Sequence, residues 1–273
     1  MTKWGRGVLS LASLAMVSLP AVLFSSGTAI PAVTNAPRLT AKPGSNGHGH
    51  GGGGGGSTSF GWASSNWSGY ALSSKTSGTY SSITGSWVVP TVTPTKGSTY
   101  SSSWIGIDGF NNSSLIQTGT EQDYSSTGGA QYYAWWEILP AAETVISSFT
   151  VQPGDNMSAS VVNDGNGKWT ITLTDNTENE TFTTTQAYSG PAQSAEWIEE
   201  APTIGGHVAT LAHYGETVFN PGTVNGGNPG LKTHDGGVMI QHNAQVSTPS
   251  LPDSDADGFN VQYGSTVPTA SKS

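Results

Sequence analysis

Short runs of alternating apolar and polar residues follow one another through most of the chain beyond residue 57. The sequence SVVNDGNGKWTITLTD, residues 160–175, places Trp169, Ile171 and Leu173 two apart after an Asn-Asp-Gly-Asn-Gly turn, which is the pattern of a β-hairpin. Comparable runs, bounded by Gly, Pro, Asn or Ser, are TGSWVVPTV, SSSWIGIDG, QYYAWWEIL, TVISSFTV, HVATLAHY, GGVMIQH and GFNVQYG. No long window has a helical period. The sequence therefore predicts an all-β protein, a sandwich of two antiparallel sheets.

The N-terminal residues lack this alternation and predict a secretory signal peptide over residues 1–29. Lys3 and Arg6 precede an apolar run, Gly7–Phe24, which is followed by small and polar residues. A membrane anchor is the alternative interpretation, because the run is just long enough to span a bilayer. The polar sequence that follows favours the signal peptide, and hence a secreted, extracellular protein with no membrane contact in its mature form.

The next segment, residues 30–56, contains Pro, Asn, Ser and six consecutive Gly, and predicts a pro-segment or linker that has no core of its own. The β-sandwich domain is expected over residues 57–273. Charge divides at the same boundary. Residues 1–56 hold four cations and no acid, a formal charge of +4, whereas the domain holds all 18 acids and only five lysines, a formal charge of −13.

This composition narrows the classes of function. The charge asymmetry argues against nucleic acids and anionic membranes as partners, because both bind cationic surfaces. A domain with few cations also suits an acidic medium, where self-repulsion between cations would otherwise favour unfolding. The chain has no Cys, which excludes disulfides and thiolate catalysis. The strongly acidic domain is expected to be a monomer at neutral pH.

The sequence has no nucleophile elbow, no His-Glu-x-x-His motif and no phosphate-binding Gly loop. Its domain histidines have no recognised ligand spacing. The segment DSDADG, residues 253–258, begins like a calcium loop, but position twelve is Gly264 where Glu is required. A polar turn before the last strand is the favoured interpretation. Neither a metal nor a cofactor is expected.

Carboxylates and one amide instead recur beside aromatic residues, a combination typical of a substrate groove more than of a dry core. These residues are Trp104, Asp108, Gln117, Trp135, Glu137 and Glu196. Because side chains alternate along a strand, Glu196 and Glu200 share one face and Glu199 lies on the other. Trp135 and Glu137 likewise share a face.

The motifs around these residues resemble the glutamic peptidases, also called eqolisins. The resemblance begins at NWSGY, residue 66, and continues in order through WVVP, SWIGIDG, IQTGTEQ, YAWWEILP and AEWIEE. It covers most of residues 60–265. It implies a concanavalin-like jelly roll with a concave active face, and acid endopeptidase activity on protein or peptide substrates.

The resemblance also implies roles for individual residues. Gln117 matches the catalytic Gln and Glu196 the catalytic Glu, while Trp104, Asp108, Trp135 and Glu137 match residues that line the groove and bind substrate. Glu196 would activate the attacking water as general base and then act as general acid, and the Gln117 amide would stabilise the oxyanion. Such a base works near its reference pKa of about 4.3, so activity is expected between about pH 2 and 5.

Three alternatives stay open at this point. Glu199 could be the base in place of Glu196, since the sequence does not show which strand face is concave. A carbohydrate-active sandwich could use Glu137 and Glu196 as a carboxylate pair about 5 to 9 Å apart, with Trp104 and Trp135 as sugar platforms. A lectin-like module would bind its ligand without turnover.

Overall fold

The computed structural model describes residues 33–34, 60–270 and 272. The predicted signal peptide and nearly all of the predicted 30–56 pro-segment or linker therefore lie outside the described residues. The described part holds one short 3-10 helix, Thr233–Asp235, and eighteen strands. In chain order the strands are β1 Val33–Thr34, β2 Trp62–Ser64, β3 Trp67–Ser73, β4 Ser82–Val88, β5 Ser102–Ile107, β6 Ile116–Ser125, β7 Gly129–Ile138, β8 Thr144–Val145, β9 Asn156–Gly165, β10 Lys168–Asp175, β11 Glu180–Ala187, β12 Ser194–Glu200, β13 Thr203–Ile204, β14 His207–Val208, β15 Glu216–Val224, β16 Gly236–Gln241, β17 Ala244–Pro249 and β18 Phe259–Tyr263.

Most strands form two packed layers, which confirms the predicted all-β sandwich, while β1, β13 and β14 form a separate three-stranded sheet. One hydrogen-bonded ladder runs through both layers in the order β11-β10-β9-β4-β15-β18-β17-β16-β3-β12-β5-β6-β7-β8. Every neighbouring pair along this ladder is antiparallel, and β2 adds to β16 in parallel. Strands β4, β9 and β10 pack across β5, β6 and β12, and the main core lies between them. The sequence predicts two sheets; the structure joins them in a single ladder.

The β9–β10 hairpin shows how sequence alternation produces the layers. Trp169, Ile171 and Leu173 are buried in the core between the layers. The intervening threonines of β10 face the opposite side, where their hydroxyls pair with those of β11 at 2.8 Å, 3.3 Å and 3.1 Å. Burial of one face and cross-strand hydrogen bonding on the other stabilise the same register.

Two predicted strands are mostly not strands. In the segment 144–151 only Thr144–Val145 forms a strand, and in 207–214 only His207–Val208 does so, although Leu211 also makes an isolated parallel bridge to Tyr100. Outside those strands, Ile146 and Tyr214 are buried in the core from irregular backbone, and Leu211 is buried at its isolated bridge. The apolar positions of these segments therefore report burial, and not strand pairing.

Over residues 60–270 the chain contains no helix with the length and apolarity needed to cross a bilayer.

Candidate active site

Four neighbouring strands align the candidate catalytic residues in one row. Glu196 of β12 lies opposite Gly106 of β5, Gly106 lies opposite Gln117 of β6, and Gln117 lies opposite Glu137 of β7. Residues opposite each other in a sheet point to the same face. Glu196 and Gln117 are thus two strand spacings apart, about 9 to 10 Å between their backbones, with a glycine between them.

Gly106 adds no side chain between Glu196 and Gln117, and the edge of the Trp104 ring lies close over it. A Cβ atom built at this position would lie 3.0 Å from Trp104 Cζ3, 3.1 Å from Gln117 Cβ and 3.1 Å from the Ile116 carbonyl oxygen. These contacts are tighter than normal van der Waals packing allows. A side chain here would push directly on the Gln117 side chain.

We expect Gly106→Ala to lower kcat/KM on a peptide substrate by about 10- to 100-fold, because small displacements of reacting groups are costly. The comparison variant is Gly97→Ala, whose added methyl group meets nothing within 4 Å. Steady-state kinetics of both variants, with near-UV circular dichroism to confirm folding, is the measurement. Wild-type kcat/KM in folded Gly106→Ala would contradict the role assigned to this gap.

Glu137 holds the Gln117 amide in place. Gln117 Nε2 donates to Glu137 Oε2 at 2.6 Å, and both residues are fully buried. An amide nitrogen carries two protons, so one N–H of Gln117 is used by Glu137 and the other is available to an incoming acceptor. The pair can therefore present a fixed, neutral hydrogen-bond donor toward the gap at Gly106.

Glu196 has a buried carboxyl group whose two oxygens accept no well-formed hydrogen bond from the described residues. Burial raises its pKa well above the ordinary value, and the negative charge of Asp108 raises it further. The Ser194 hydroxyl and the Phe110 backbone N–H favour the ionised carboxylate and partly lower the pKa of Glu196. Neither reaches ordinary hydrogen-bond geometry with the carboxylate. Such a group changes charge readily when water or substrate reaches it.

Asp108 braces the turn that leads into β12. Its carboxylate accepts hydrogen bonds from Tyr188 Oη at 2.7 Å, Ala192 N at 2.8 Å, Gln193 N at 2.8 Å and Asn112 Nδ2 at 3.0 Å. The residue has a left-handed φ of 72°, which turns the chain sharply after β5. The sequence suggested a substrate contact for Asp108. In the structure its oxygens are occupied by protein donors that position the start of β12.

The predicted tryptophans lie on the same face as the row. Ile198, Trp104, Gly119 and Trp135 form the next row of opposed residues. Trp104 packs edge-to-face on Trp67 with ring centroids 4.9 Å apart. These rings belong to a second apolar cluster separate from the core between the layers, which comprises Trp62, Trp67, Ala71, Trp104, Phe110, Leu115, Trp135 and Ile198.

Glu200 ties this cluster to the row. Its Oε2 accepts from Trp104 Nε1 at 2.9 Å, and its Oε1 accepts from Asn66 Nδ2 at 3.0 Å. Burial, and then the charge of Glu137, raise the pKa of Glu200 well above its usual range. Sequence alternation places Glu200 on this face, but its bond to Trp104 depends on the pairing of β12 with β5.

Glu199, the alternative base, lies on the opposite face, inside the sandwich. Its Oε2 accepts from Ser103 Oγ at 2.6 Å and from Thr217 Oγ1 at 2.9 Å. Burial raises its pKa to about 8 despite these hydrogen bonds. No atom of the Gln117 row can meet it, because β12 itself separates the two faces.

A third set of acids, which sequence analysis did not single out, extends the Gln117 face along β6. Glu121 is fully buried, and burial and the charges of Asp123 and Glu143 raise its pKa. Burial also raises the pKa of Asp123 to about 8 and that of Glu143 to about 7. Glu143 accepts a hydrogen bond from Tyr133 Oη at 2.9 Å. The sequence signal for these acids is their spacing: Glu121 and Asp123 lie four and six positions after Gln117, so the period of two puts them on the same strand face.

Comparison with known proteins gives the family. A sequence profile of the Peptidase A4 family matches residues 65–263. Among solved structures, scytalido-glutamic peptidase with a transition state analog inhibitor has a TM-score of 0.62 and 22% identity, over 73% of this chain and 98% of that chain. Aspergilloglutamic peptidase from Aspergillus niger has a TM-score of 0.51 and 25% identity, over 60% and 99%. SCP-B, an eqolisin solved with the tripeptide Ala-Ile-His, has a TM-score of 0.57 and 20% identity, over 73% and 98%. No curated protein matches the chain.

An all-β sandwich with a buried Gln–Glu row is the class of protein that the fold and site define. The chain belongs to the Peptidase A4 family, the eqolisins or glutamic peptidases, as the resemblance of its motifs implied. It is a hydrolase of the glutamic endopeptidase type, and proteins or peptides are its substrates. This membership disfavours the carbohydrate-active and lectin-like alternatives. Glu137, the second carboxylate of the carbohydrate alternative, is moreover hydrogen bonded to Gln117.

Proposed function

We propose that the protein is a secreted acid endopeptidase, made as a precursor, in which Glu196 moves the proton and Gln117 stabilises the oxyanion. The observation that carries the proposal is the row Glu196–Gly106–Gln117–Glu137 on four adjacent strands. The proposal is supported because a titratable carboxyl and a neutral amide donor flank Gly106, which has no side chain of its own.

The chemistry follows from these positions. Ionised Glu196 takes a proton from a water molecule as the water oxygen attacks the scissile carbonyl carbon. The free N–H of Gln117 donates to the carbonyl oxygen as it gains negative charge. Protonated Glu196 then gives its proton to the peptide nitrogen as the C–N bond breaks, which regenerates the carboxylate. An amide donor keeps working in acid because it does not titrate.

The protonation state of Glu196 sets the working pH. Burial holds the pKa of Glu196 well above its ordinary value in the full-length chain, so that its carboxyl is protonated in acid and cannot act as a base. Access of water to the site would return the pKa toward the reference value of about 4.3. Activity between about pH 2 and 5 therefore requires a form of the protein in which the site is open.

The full-length chain is thus proposed to be an inactive precursor. Gln117, Glu137 and Glu196 are all fully buried in the structure, and side chains without exposed atoms do not contact a substrate carbonyl. Val33–Thr34, within the predicted pro-segment, pairs antiparallel with Thr203–Ile204, only a few residues after β12 ends. This pairing, and the charge of +4 on residues 1–56 against −13 on the domain, support a pro-segment that is attracted to the domain. Acid would weaken this attraction as the carboxylates lose their charge.

Incubation of the full-length protein at pH 4 is expected to remove residues before the domain as activity appears. Mass spectrometry of the N-terminus and a peptidase assay on the same time points follow both events. The charge-based explanation further predicts slower conversion at pH 6 than at pH 4. Full activity with an intact N-terminus would contradict the precursor proposal and leave the catalytic proposal standing.

The test of the proposed function is hydrolysis of an acid-denatured protein by the processed enzyme across pH 2 to 7. Internal cleavage, shown by new N-termini in the products, should peak below pH 5 and vanish by pH 7. A folded enzyme that cleaves no peptide bond, but releases sugar from polysaccharides, would overturn the proposal.

A further inference from the structure

The turn Asp253–Gly258, in front of the last strand, brings three carboxylates together. Asp253, Asp255 and Asp257 each offer one oxygen, and these three atoms all lie within 4.8 Å of one another. Ligands of a calcium ion sit 2.3 to 2.6 Å from it, so two ligands on opposite sides are about 4.6 to 5.2 Å apart. The three oxygens are therefore close enough to share one ion.

One of these carboxylates is enclosed and only half satisfied. Asp253 is 8% exposed, and its Oδ1 accepts from the backbone N–H groups of Asp257 at 3.1 Å and Gly258 at 3.2 Å. Its Oδ2 is shielded from solvent and meets no hydrogen-bond donor among the described residues, and the same holds for Asp257 Oδ1. Buried carboxylate oxygens without donors are costly, and a cation is the partner that satisfies them.

Within residues 60–270 no cationic side chain forms an ion pair with these carboxylates. The ion pair found among the described residues joins His234 to Asp235, outside the turn. Three negative groups this close repel one another unless a positive charge lies between them. The ligand that fits is a small, hard cation.

The backbone of the turn is held from outside in the shape that aims the carboxylates inward. Its carbonyl oxygens accept from Asn228 Nδ2 at residue 255, from Leu231 N at residue 256 and from Gly222 N at residue 257, at 2.7 Å to 2.9 Å. These donors belong to the segment from β15 to the 3-10 helix. The ligand arrangement is thus built by two separate parts of the chain and does not have to form on binding.

We propose that Asp253, Asp255 and Asp257 bind one Ca²⁺, with water completing the coordination. The Asp-x-Asp-x-Asp-Gly pattern supplies the first three ligands of a calcium loop, and Gly264 at the twelfth position supplies none. An incomplete oxygen set places the dissociation constant in the weak range of extracellular sites, about 10⁻⁴ to 10⁻³ M. The proposal goes beyond the polar turn predicted from sequence because enclosed oxygens without hydrogen-bond donors lie at the pattern.

The test uses the full-length chain, freed of metal with a chelator and dialysed at pH 6. Titration calorimetry with CaCl₂ should show one ion bound per chain in the range given above. At 10 mM CaCl₂ the unfolding equilibrium constant should fall by about 10- to 100-fold, which thermal unfolding detects as a rise in Tm. MgCl₂, and NaCl at equal ionic strength, should raise Tm less.

Asp255→Asn is the variant of choice, because Asp255 is the exposed member and its loss disturbs the turn least. It should fold as the wild type does and lose both the binding heat and the Tm response to calcium. Glu180→Gln, an exposed acid on β11, is the matched charge control and should keep both. Absence of binding to the wild type, an equal Tm response to NaCl, or an undiminished response in Asp255→Asn would each overturn the proposal.

Discussion

Replacing Glu196 by Gln is expected to lower kcat about 10²- to 10⁴-fold at the optimal pH of the processed enzyme. The amide has the size and shape of the carboxyl but accepts no proton from the attacking water, so the general-base and general-acid steps are both lost. Replacing Gln117 by Ala should lower kcat about 10²- to 10³-fold, because one oxyanion donor is removed. KM should change little in either variant, since these interactions form in the transition state.

The matched control for both is Glu199→Gln on the same strand. Glu199 faces the core between the layers, where its neutral carboxyl and an amide are nearly equivalent in acid, so we expect near wild-type activity at pH 4. Each variant is compared by steady-state kinetics on one peptide substrate and by near-UV circular dichroism. Loss of activity in Glu199→Gln together with an active Glu196→Gln would transfer the base to Glu199.

Raising the pH from 4 to 8 is expected to destabilise the protein strongly. In the folded state burial raises the pKa of Glu199 to about 8, of Asp123 to about 8 and of Glu143 to about 7. In the unfolded chain the same groups ionise near pH 4. Between these values the folded state binds more protons, so its stability is fully present below about pH 4 and is lost as the pH rises through 7 to 8.

Glu199 alone should account for a loss on the order of 5 kcal/mol over this range, a large share of an ordinary domain's stability. For a domain of this size that corresponds to a fall in Tm of about 10 to 20 °C. Thermal unfolding followed by circular dichroism from pH 3 to 9 measures it. Glu199→Gln should flatten the decline between pH 5 and 8. A Tm that is constant or rises from pH 4 to 8 would contradict the assignment of protonated, buried acids.

Much of the fold was predictable because the alternation of apolar and polar residues determines which face of each strand is buried. In the hairpin at residues 160–175, every second residue of β10 faces the core. Trp169 and Ile171 lie on the inward side and threonines on the outward side. The segments 144–151 and 207–214 show the limit of that signal. Apolar residues such as Tyr214 are needed wherever the core must be covered, whether or not the backbone there pairs in a sheet.

The candidate site was predictable in its residues but not in its geometry. Alternation along β12 separates Glu196 from Glu199, and the family motifs select Gln117. The row that joins Glu196 to Gln117 through Gly106 depends on strand pairing across some 90 positions of sequence, and local patterns do not encode such pairing. Likewise, the burial of Glu121 and Asp123 is hidden in the sequence, since acids without nearby cations are ordinarily solvent-exposed.

The unbroken ladder bears on a hazard that every peptidase meets, which is digestion by other copies of itself. Cleavage requires an extended stretch of backbone whose N–H and C=O groups are free to form hydrogen bonds with the peptidase. Along the ladder each strand between β11 and β8 has a partner on both sides, so no inner strand can be lifted out without breaking two sets of hydrogen bonds. Self-cleavage is thereby directed to connecting segments such as 146–155 and to the two outer strands, and the chain gains resistance to its own activity without a single disulfide.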